Sequence, residues 1–593
     1  MKNKKLVIIL CVMIFLALGL TIYTYINKKD MSYSKMSIEY TIKPENIKAK
    51  TIAVSIRLYK KEFNHEKLSL AKGLINVISP KCVDQSGNDI PFKDSEGIIT
   101  IGPIPNNTEF VEYNYRTKLG EMSGNRVVGD LYEDLVVFSG ENVLLLPFFE
   151  NREDLYSINE YIDKITIQVD VDENWNAVMP YQNNVNKDKK VTINRPDWYV
   201  FYNLAKSCYA FGKFEPLTIN TVDGSFNFLI DSSYKEKLTS ENVKTIQNLY
   251  NYYTEKFGSG LRDYSIVLLR RNLTNDLLIL GGVGGKSLGI SFDIQSGDEW
   301  FTFSNTLYHA FFDSKIKAMN LHFPPNLWLY KGLASYYVDK SASQIPATVR
   351  SKYGIETNLN PESKYDIYLY FALKEPLLKV SPANEEYMLA AQSDFYYNYK
   401  VPFVIEAIEN MAQKISGSSD NLLNVLMKYS NLDTINFAVI MTEILGEEEA
   451  KIRAYLSGED IVPFLWDKIK EPKIEETILN LDMYERYLTL LFQTELGEFP
   501  YDPVILLEPK SLLEEIKNSK ISFATQEIQE MVRNYSETIY LLLMQNALRA
   551  KICGQKDLSN AEIRYVLNNS ENIEKWTDYV SKVGLYGSSE GSN

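Results

Sequence analysis

The spacing of apolar residues changes several times along the chain. Residues 6–26 are apolar and uncharged, between Lys4-Lys5 and Lys28-Lys29. At about 1.5 Å per residue, such a helix is long enough to cross a hydrocarbon core of roughly 30 Å. Residues 34–195 shift to a period of two. Segments 38–42, 51–58, 97–101, 110–115, 143–146 and 165–171 alternate or run β-branched, separated by turn clusters such as Asp84-Gln85-Ser86-Gly87-Asn88-Asp89 and Pro105-Asn106-Asn107. This predicts a β-sandwich-like domain. From about 196 the pattern mixes. A strand is expected at 226–230, a helix at 240–257 with Ser240 as N-cap and Gly258 as its stop, and a buried strand at 264–269. Segments 304–313 and 328–337 carry apolar residues at helical spacing and predict a pair of helices. The period stays helical through 475–493, 509–518, 525–553 and 560–581. Residues 583–593 predict a disordered tail.

The fold class expected is therefore multidomain α+β. Residues 1–30 form a stub and transmembrane helix, 34–195 a β domain, 196–466 a mixed domain, and 467–582 a helical domain. At 593 residues with 45% hydrophobic and 24% charged positions, the chain is long and apolar enough for several packed cores. Lys+Arg 63 against Asp+Glu 77 leaves a net charge of −14, which excludes nucleic acid as the expected partner. Four cysteines without ligand spacing predict neither a disulfide framework nor a structural zinc. Ile22-Tyr23-Thr24-Tyr25-Ile26 is bulky where a cleaved signal would end in small residues, so an uncleaved anchor is expected. Lys2, Lys4, Lys5 and the α-amino group outnumber Lys28 and Lys29. That favours a single-pass protein of the cell membrane with its body outside the cytoplasm.

Candidate chemistry concentrates in Ser304-Asn305-Thr306-Leu307-Tyr308-His309-Ala310-Phe311-Phe312-Asp313 and Trp328-Leu329-Tyr330-Lys331-Gly332-Leu333-Ala334-Ser335-Tyr336-Tyr337. The pair resembles the zinc-binding core of the gluzincin aminopeptidases, the group of membrane alanyl aminopeptidase, leukotriene A4 hydrolase and glycyl aminopeptidase. There the first helix carries H-E-x-x-H and the second W-L-N-E-G-F-A-S-Y. The resemblance covers about residues 160–466. It implies a thermolysin-like (gluzincin) catalytic-type domain over 196–466 and a peptide cleft. It also implies a metal site that has been dismantled. Asn305 stands at the first histidine, Thr306 at the general base and Lys331 at the glutamate ligand, while His309 remains. Zinc needs three protein ligands and an open position for water. Asn is a poor ligand, Thr is no base, and an ammonium is repelled by a divalent cation.

Other positions follow from the same resemblance, which also implies closing helices at 422–429, 437–446 and 455–463. In Tyr396-Tyr397-Asn398-Tyr399-Lys400, aligning Lys400 with the family's Y-E-K-G lysine puts Asn398 at the oxyanion-stabilising tyrosine, with Tyr397 and Tyr399 beside it. The run Gly281-Gly282-Val283-Gly284-Gly285-Lys286 falls where the family has an edge strand along the peptide. Gly282, Gly284, Gly285 and Lys286 are thus the expected peptide-binding positions, without the glutamate that holds a free amine. The run is one residue short of a phosphate-binding G-x-x-x-x-G-K-[ST] loop, which argues against a nucleotide.

The expected function is a catalytically inactive, aminopeptidase-like protein, without a cofactor, that binds a peptide or protein partner. The rival is a metallopeptidase rebuilt around His309. Only His65, His309 and His322 exist in the chain. A zinc ion would therefore draw on His309 and Asp313, with His322 or Glu299 as third ligand. Lys331 is otherwise expected to pair with Asp313 or Glu299 in place of the metal's charge. A third reading has the cleft occluded by Tyr330 and Lys331.

Overall fold

A computed structural model describes residues 35–462, apart from short stretches such as 64–65, 183–188, 272–277, 356–360 and 417–421, and a few positions from 484 to 491. The expectations for 6–26, for 509–582 and for the tail lie outside the described residues. Among the described residues no helix is long and apolar enough to cross a membrane. The fold is a mixed α+β one, sheets first and helices after, in two compact units. The first holds the chain up to Thr218 with Asn227–Glu236 and Arg262–Ser291. The second holds Ile219–Phe226, Lys237–Leu261 and the chain from Phe292 onward.

In the first unit, six strands run in the order Lys190–Asn194, Ile162–Val169, Met36–Asn46, Thr51–Tyr59, Phe110–Lys118 and Ile78–Asp84. Alternation sets which face is buried. Ile38, Tyr40 and Ile42 stand opposite Leu58, Ile56 and Val54, and these in turn opposite Val111, Tyr113 and Tyr115. All are buried on one apolar face. The Tyr40 hydroxyl donates to the Leu145 carbonyl at 2.9 Å and Tyr115 to that of Val143 at 2.5 Å. These bonds explain a correction. The strand expected at 143–146 is a short helical turn, Gly140–Asn142, then a buried segment whose carbonyls are taken by tyrosines, and only Leu146–Pro147 pairs as a strand.

A five-stranded sheet is ordered Phe214–Thr221, Gly224–Asp231, Ser265–Leu268, Ser287–Ser291 and Leu278–Gly281, its last three strands in the first unit. Ser265–Leu268 pairs in parallel with both neighbours, and Leu278–Gly281 runs antiparallel as the last strand. The glycine run is the turn between these last two strands. Gly281, Gly282 and Gly284 adopt left-handed φ of 77°, 84° and 71°.

The second unit is built on four helices: α1 Ser240–Lys256, α2 Gly297–Lys315, α3 Leu327–Ser341 and α4 Val401–Ser416. Thr239, not Ser240, caps α1. It is the residue in extended conformation, and its hydroxyl accepts from the Asn242 N–H in a capping box. Gly258 follows the helix at φ 73°. A buried hydroxyl chain ties three helices together. Tyr253 of α1 bonds Ser304 of α2, which bonds Ser341 of α3, both at 2.7 Å. A Cβ on Gly332 would stand 2.0 Å from Val401 Cγ1, so glycine there sets how closely α3 approaches α4. The expected helices at 422–429 and 437–446 are Leu422–Lys428 and Phe437–Leu445. The one expected at 455–463 instead runs Glu449–Ser457 and is stopped by Gly458 at φ 77°.

Candidate functional site

Asn305, Thr306, His309 and Asp313 lie on α2, and Tyr330 and Lys331 on the first turn of α3, which packs against it. The two candidate segments are thus neighbouring helices. Thr306 is buried, and its hydroxyl donates to the Thr302 carbonyl one turn back, at 2.7 Å. Asn305 is half-buried and Lys331 exposed. His309 is 2% exposed, and its Nδ1 makes no hydrogen bond. Burial first, then the Lys331 ammonium, lowers the His309 pKa to about 3 against the opposing pull of Asp313. Its imidazole is neutral at physiological pH.

Asp313, 1% exposed, is the acceptor at the centre. Tyr330 donates to its Oδ2 at 2.9 Å, and His322 Nε2, from the turn Met319–His322, stands 3.3 Å from its Oδ1. The Tyr330 ring lies against both histidines, 4.6 Å from His309 and 4.3 Å from His322 between centroids, and edge-on to Phe312 at 5.2 Å.

The structure brings together His309, Asp313, His322, Tyr330 and Lys331, but not Glu299. That residue sits in the first turn of α2, about 15 Å from His309 along the axis at 1.5 Å per residue, and accepts from the Asp293 N–H. Asp313 has a tyrosine and a histidine against it. Among the described residues no group of three or more His, Cys, Asp or Glu side chains is placed to hold a metal ion.

The tyrosine segment Tyr396–Lys400 is a π-helical turn between Ala390–Phe395 and α4. Its buried Lys400 ammonium donates to the carbonyls of Leu456 at 2.7 Å and Val380 at 3.1 Å. Tyr397 donates to Glu385 at 2.9 Å. Tyr399 stacks with Phe395 and meets Tyr484 at 4.3 Å, and Tyr484 donates to Asp394 at 2.8 Å. Asn398 donates to Asp394 and accepts from Ser335 of α3, both at 2.9 Å.

Glu385 is the functional-looking residue that sequence reasoning missed. It is 4% exposed, and burial pushes its carboxyl up to about 7, while the Tyr397 hydroxyl and the N–H groups of Trp328 and Leu327 act the other way. Those N–H groups open α3, so the carboxylate sits at that helix's positive end. Ala383-Asn384-Glu385-Glu386-Tyr387 carries no motif that signals this.

The glycine turn of the first unit is packed against its own chain. Cβ atoms on Gly284 and Gly285 would stand 2.1 Å from the Tyr202 ring and 2.6 Å from the Lys206 carbonyl. Asn203 donates to the Gly284 carbonyl at 2.7 Å and the Lys286 N–H to Ser207 Oγ at 2.8 Å. Close approach is indeed why glycines stand here, with residues 202–206 as the neighbour.

No protein-family model matches the chain, and no curated protein matches it. Among solved structures it is similar to an aminopeptidase N family protein from Idiomarina loihiensis. The identity is 12%, over 69% of this chain and 76% of that one, with a TM-score of 0.47. It is also similar to an M1 zinc metallopeptidase from Deinococcus radiodurans, at 13% identity over 74% and 96% of the two chains, with a TM-score of 0.43. A mutant of the Deinococcus radiodurans metallopeptidase, bound to a Tyr-Ser-Ala substrate, aligns at 14% identity over 73% and 95%, with a TM-score of 0.44. At these values the functional reading is carried by the residues of this chain alone.

Proposed function

We propose that this chain is a membrane-anchored, extracytoplasmic protein with an aminopeptidase-like fold that does not hydrolyse peptides and instead binds a peptide or protein partner. One observation carries the reading. At the helix pair where H-E-x-x-H and W-L-N-E-G would hold zinc, α2 offers Asn305 and Thr306, and α3 offers Lys331 and a buried Tyr330 bonded to Asp313. An ammonium that depresses the one remaining histidine opposes a divalent cation in the same place. The anchor is residues 6–26, read from their hydropathy. The peptide-facing element is the last strand of the five-stranded sheet, Leu278–Gly281, where Ile279 is exposed.

The test is made on the full chain in detergent. Zinc is measured by inductively coupled plasma mass spectrometry, and aminoacyl and peptide substrates are assayed with and without a chelator. The expected result is substoichiometric zinc and no hydrolysis. The rival metallopeptidase, with His309, Asp313 and His322 on zinc, draws support from the 3.3 Å approach of His322 to Asp313. Stoichiometric zinc with chelator-sensitive hydrolysis, lost in His309→Ala, would establish it.

A further inference from the structure

The donors at the helix pair fall short of a metal site by one residue, and the geometry shows which side chain stands in the way. Ligand atoms on a tetrahedral zinc shell, at 2.0–2.2 Å from the ion, lie about 3.3–3.6 Å from one another. His322 Nε2 and Asp313 Oδ1 already have that separation, 3.3 Å. His309 does not join them as a third donor. The Tyr330 ring lies tilted against both imidazoles, 4.6 Å and 4.3 Å between centroids, and its hydroxyl holds the other oxygen of the Asp313 carboxylate at 2.9 Å. Tyr330 is 1% exposed, so it fills an interior position rather than resting over a surface. A liganding histidine normally has its second ring nitrogen held by an outer partner. His309 Nδ1 is buried without one, as expected for an imidazole retained by packing.

We infer that Tyr330 is an internal replacement for the metal. Its ring lies against the two histidines and its hydroxyl occupies the carboxylate, so the helix pair excludes a divalent cation even when ligand residues are restored at 305 and 331. The inference rests on the reading of the site as a dismantled one. It goes further in making residue 330, where the W-L-N-E-G pattern has asparagine, the element that keeps the site closed.

The experiment compares two full-length variants. One carries Asn305→His with Lys331→Glu, and the second adds Tyr330→Asn. Each is incubated with zinc, freed of loose metal by gel filtration and assayed for bound zinc by mass spectrometry, with circular dichroism confirming the fold. The expected result is less than one-tenth of an equivalent in the first and about one equivalent in the second. Tyr330→Phe in the restored background should exclude zinc as tyrosine does, because it keeps the ring. If the asparagine variant loses its fold, Tyr330→Ala and Tyr330→Leu in that background make the same comparison, without and with a bulky side chain. One equivalent of zinc with Tyr330 in place overturns the inference and leaves the proposed function standing. Zinc in neither variant also overturns it, since something other than Tyr330 then keeps the cation out. Stoichiometric zinc in the unmodified chain overturns the proposed function itself.

Discussion

Two buried carboxylates flank α3, and each takes a hydrogen bond of 2.9 Å from a tyrosine: Asp313 from Tyr330, and Glu385 from Tyr397. Their surroundings differ. Asp313 faces the side of the helix, with the His322 imidazole at 3.3 Å. Glu385 faces the end of the helix, with peptide N–H groups rather than an imidazole against it, and burial raises it to about 7. A tyrosine hydroxyl and a helix terminus together do not hold a buried carboxyl in the ordinary carboxylate range. Position along one helix thus separates an aspartate tied to the histidine cluster from a glutamate poised to take up a proton near neutrality.

The largest effect should come from Asp313→Ala. It removes the acceptor of Tyr330 and the partner of His322 in a site with almost no solvent. The expected loss is about 1–3 kcal/mol, the cost of leaving a buried donor without its acceptor. Thermal unfolding followed by circular dichroism measures it. A loss below about 1 kcal/mol, the scale of an exposed pair, would dissolve the contrast with Glu385.

Next is the response to pH. The folded Glu385 pKa of about 7 lies above its ordinary 4.5, so its contribution to stability is present below 4.5 and lost as pH rises through about 7. His309 works in the opposite sense. Its folded pKa of about 3 lies below 6.5, so its contribution is present above 6.5 and lost as pH falls toward 3. Glu409, also pushed up to about 7 by burial, adds to the Glu385 direction. Melting temperatures at pH 5.5 and pH 8 should therefore show a smaller drop on raising the pH in Glu385→Gln than in the unmodified chain. An unchanged drop would mean that Glu385 does not titrate in this window.

The smallest effect is Lys331→Met. The side chain is exposed, so stability should move by less than about 0.5 kcal/mol, while the His309 pKa should rise as one of its two main depressing causes is removed. Histidine ring-proton chemical shifts across a pH series would report it. No movement would place the ammonium too far from His309 to oppose a cation there.

Much of this architecture is legible without coordinates. The period-two runs at 38–42, 51–58 and 110–115 are the central strands of the six-stranded sheet, because a strand with one buried face must alternate. Segments 304–313 and 328–337 are helices, as their apolar spacing predicts. The errors have local causes. Val143–Leu145 is apolar like a buried strand, yet two tyrosine hydroxyls take its carbonyls. The closing helix expected at 455–463 is placed too late, because Gly458 at φ 77° ends the helix Glu449–Ser457.

The sequence by itself determined the strand and helix periods and which residue types stand at 305, 306, 309 and 331, because both are properties of residues close together in the chain. Only the tertiary structure decided that His322 meets Asp313, that the Tyr330 ring lies against two histidines, that Glu385 sits at the start of α3, and that Gly284 and Gly285 give way to residues 202–206. Those are contacts between positions whose spacing obeys no period. They exist because helices and sheets, once formed, have to bury their apolar faces against one another, and the polar groups carried inside must find partners wherever that packing leaves them.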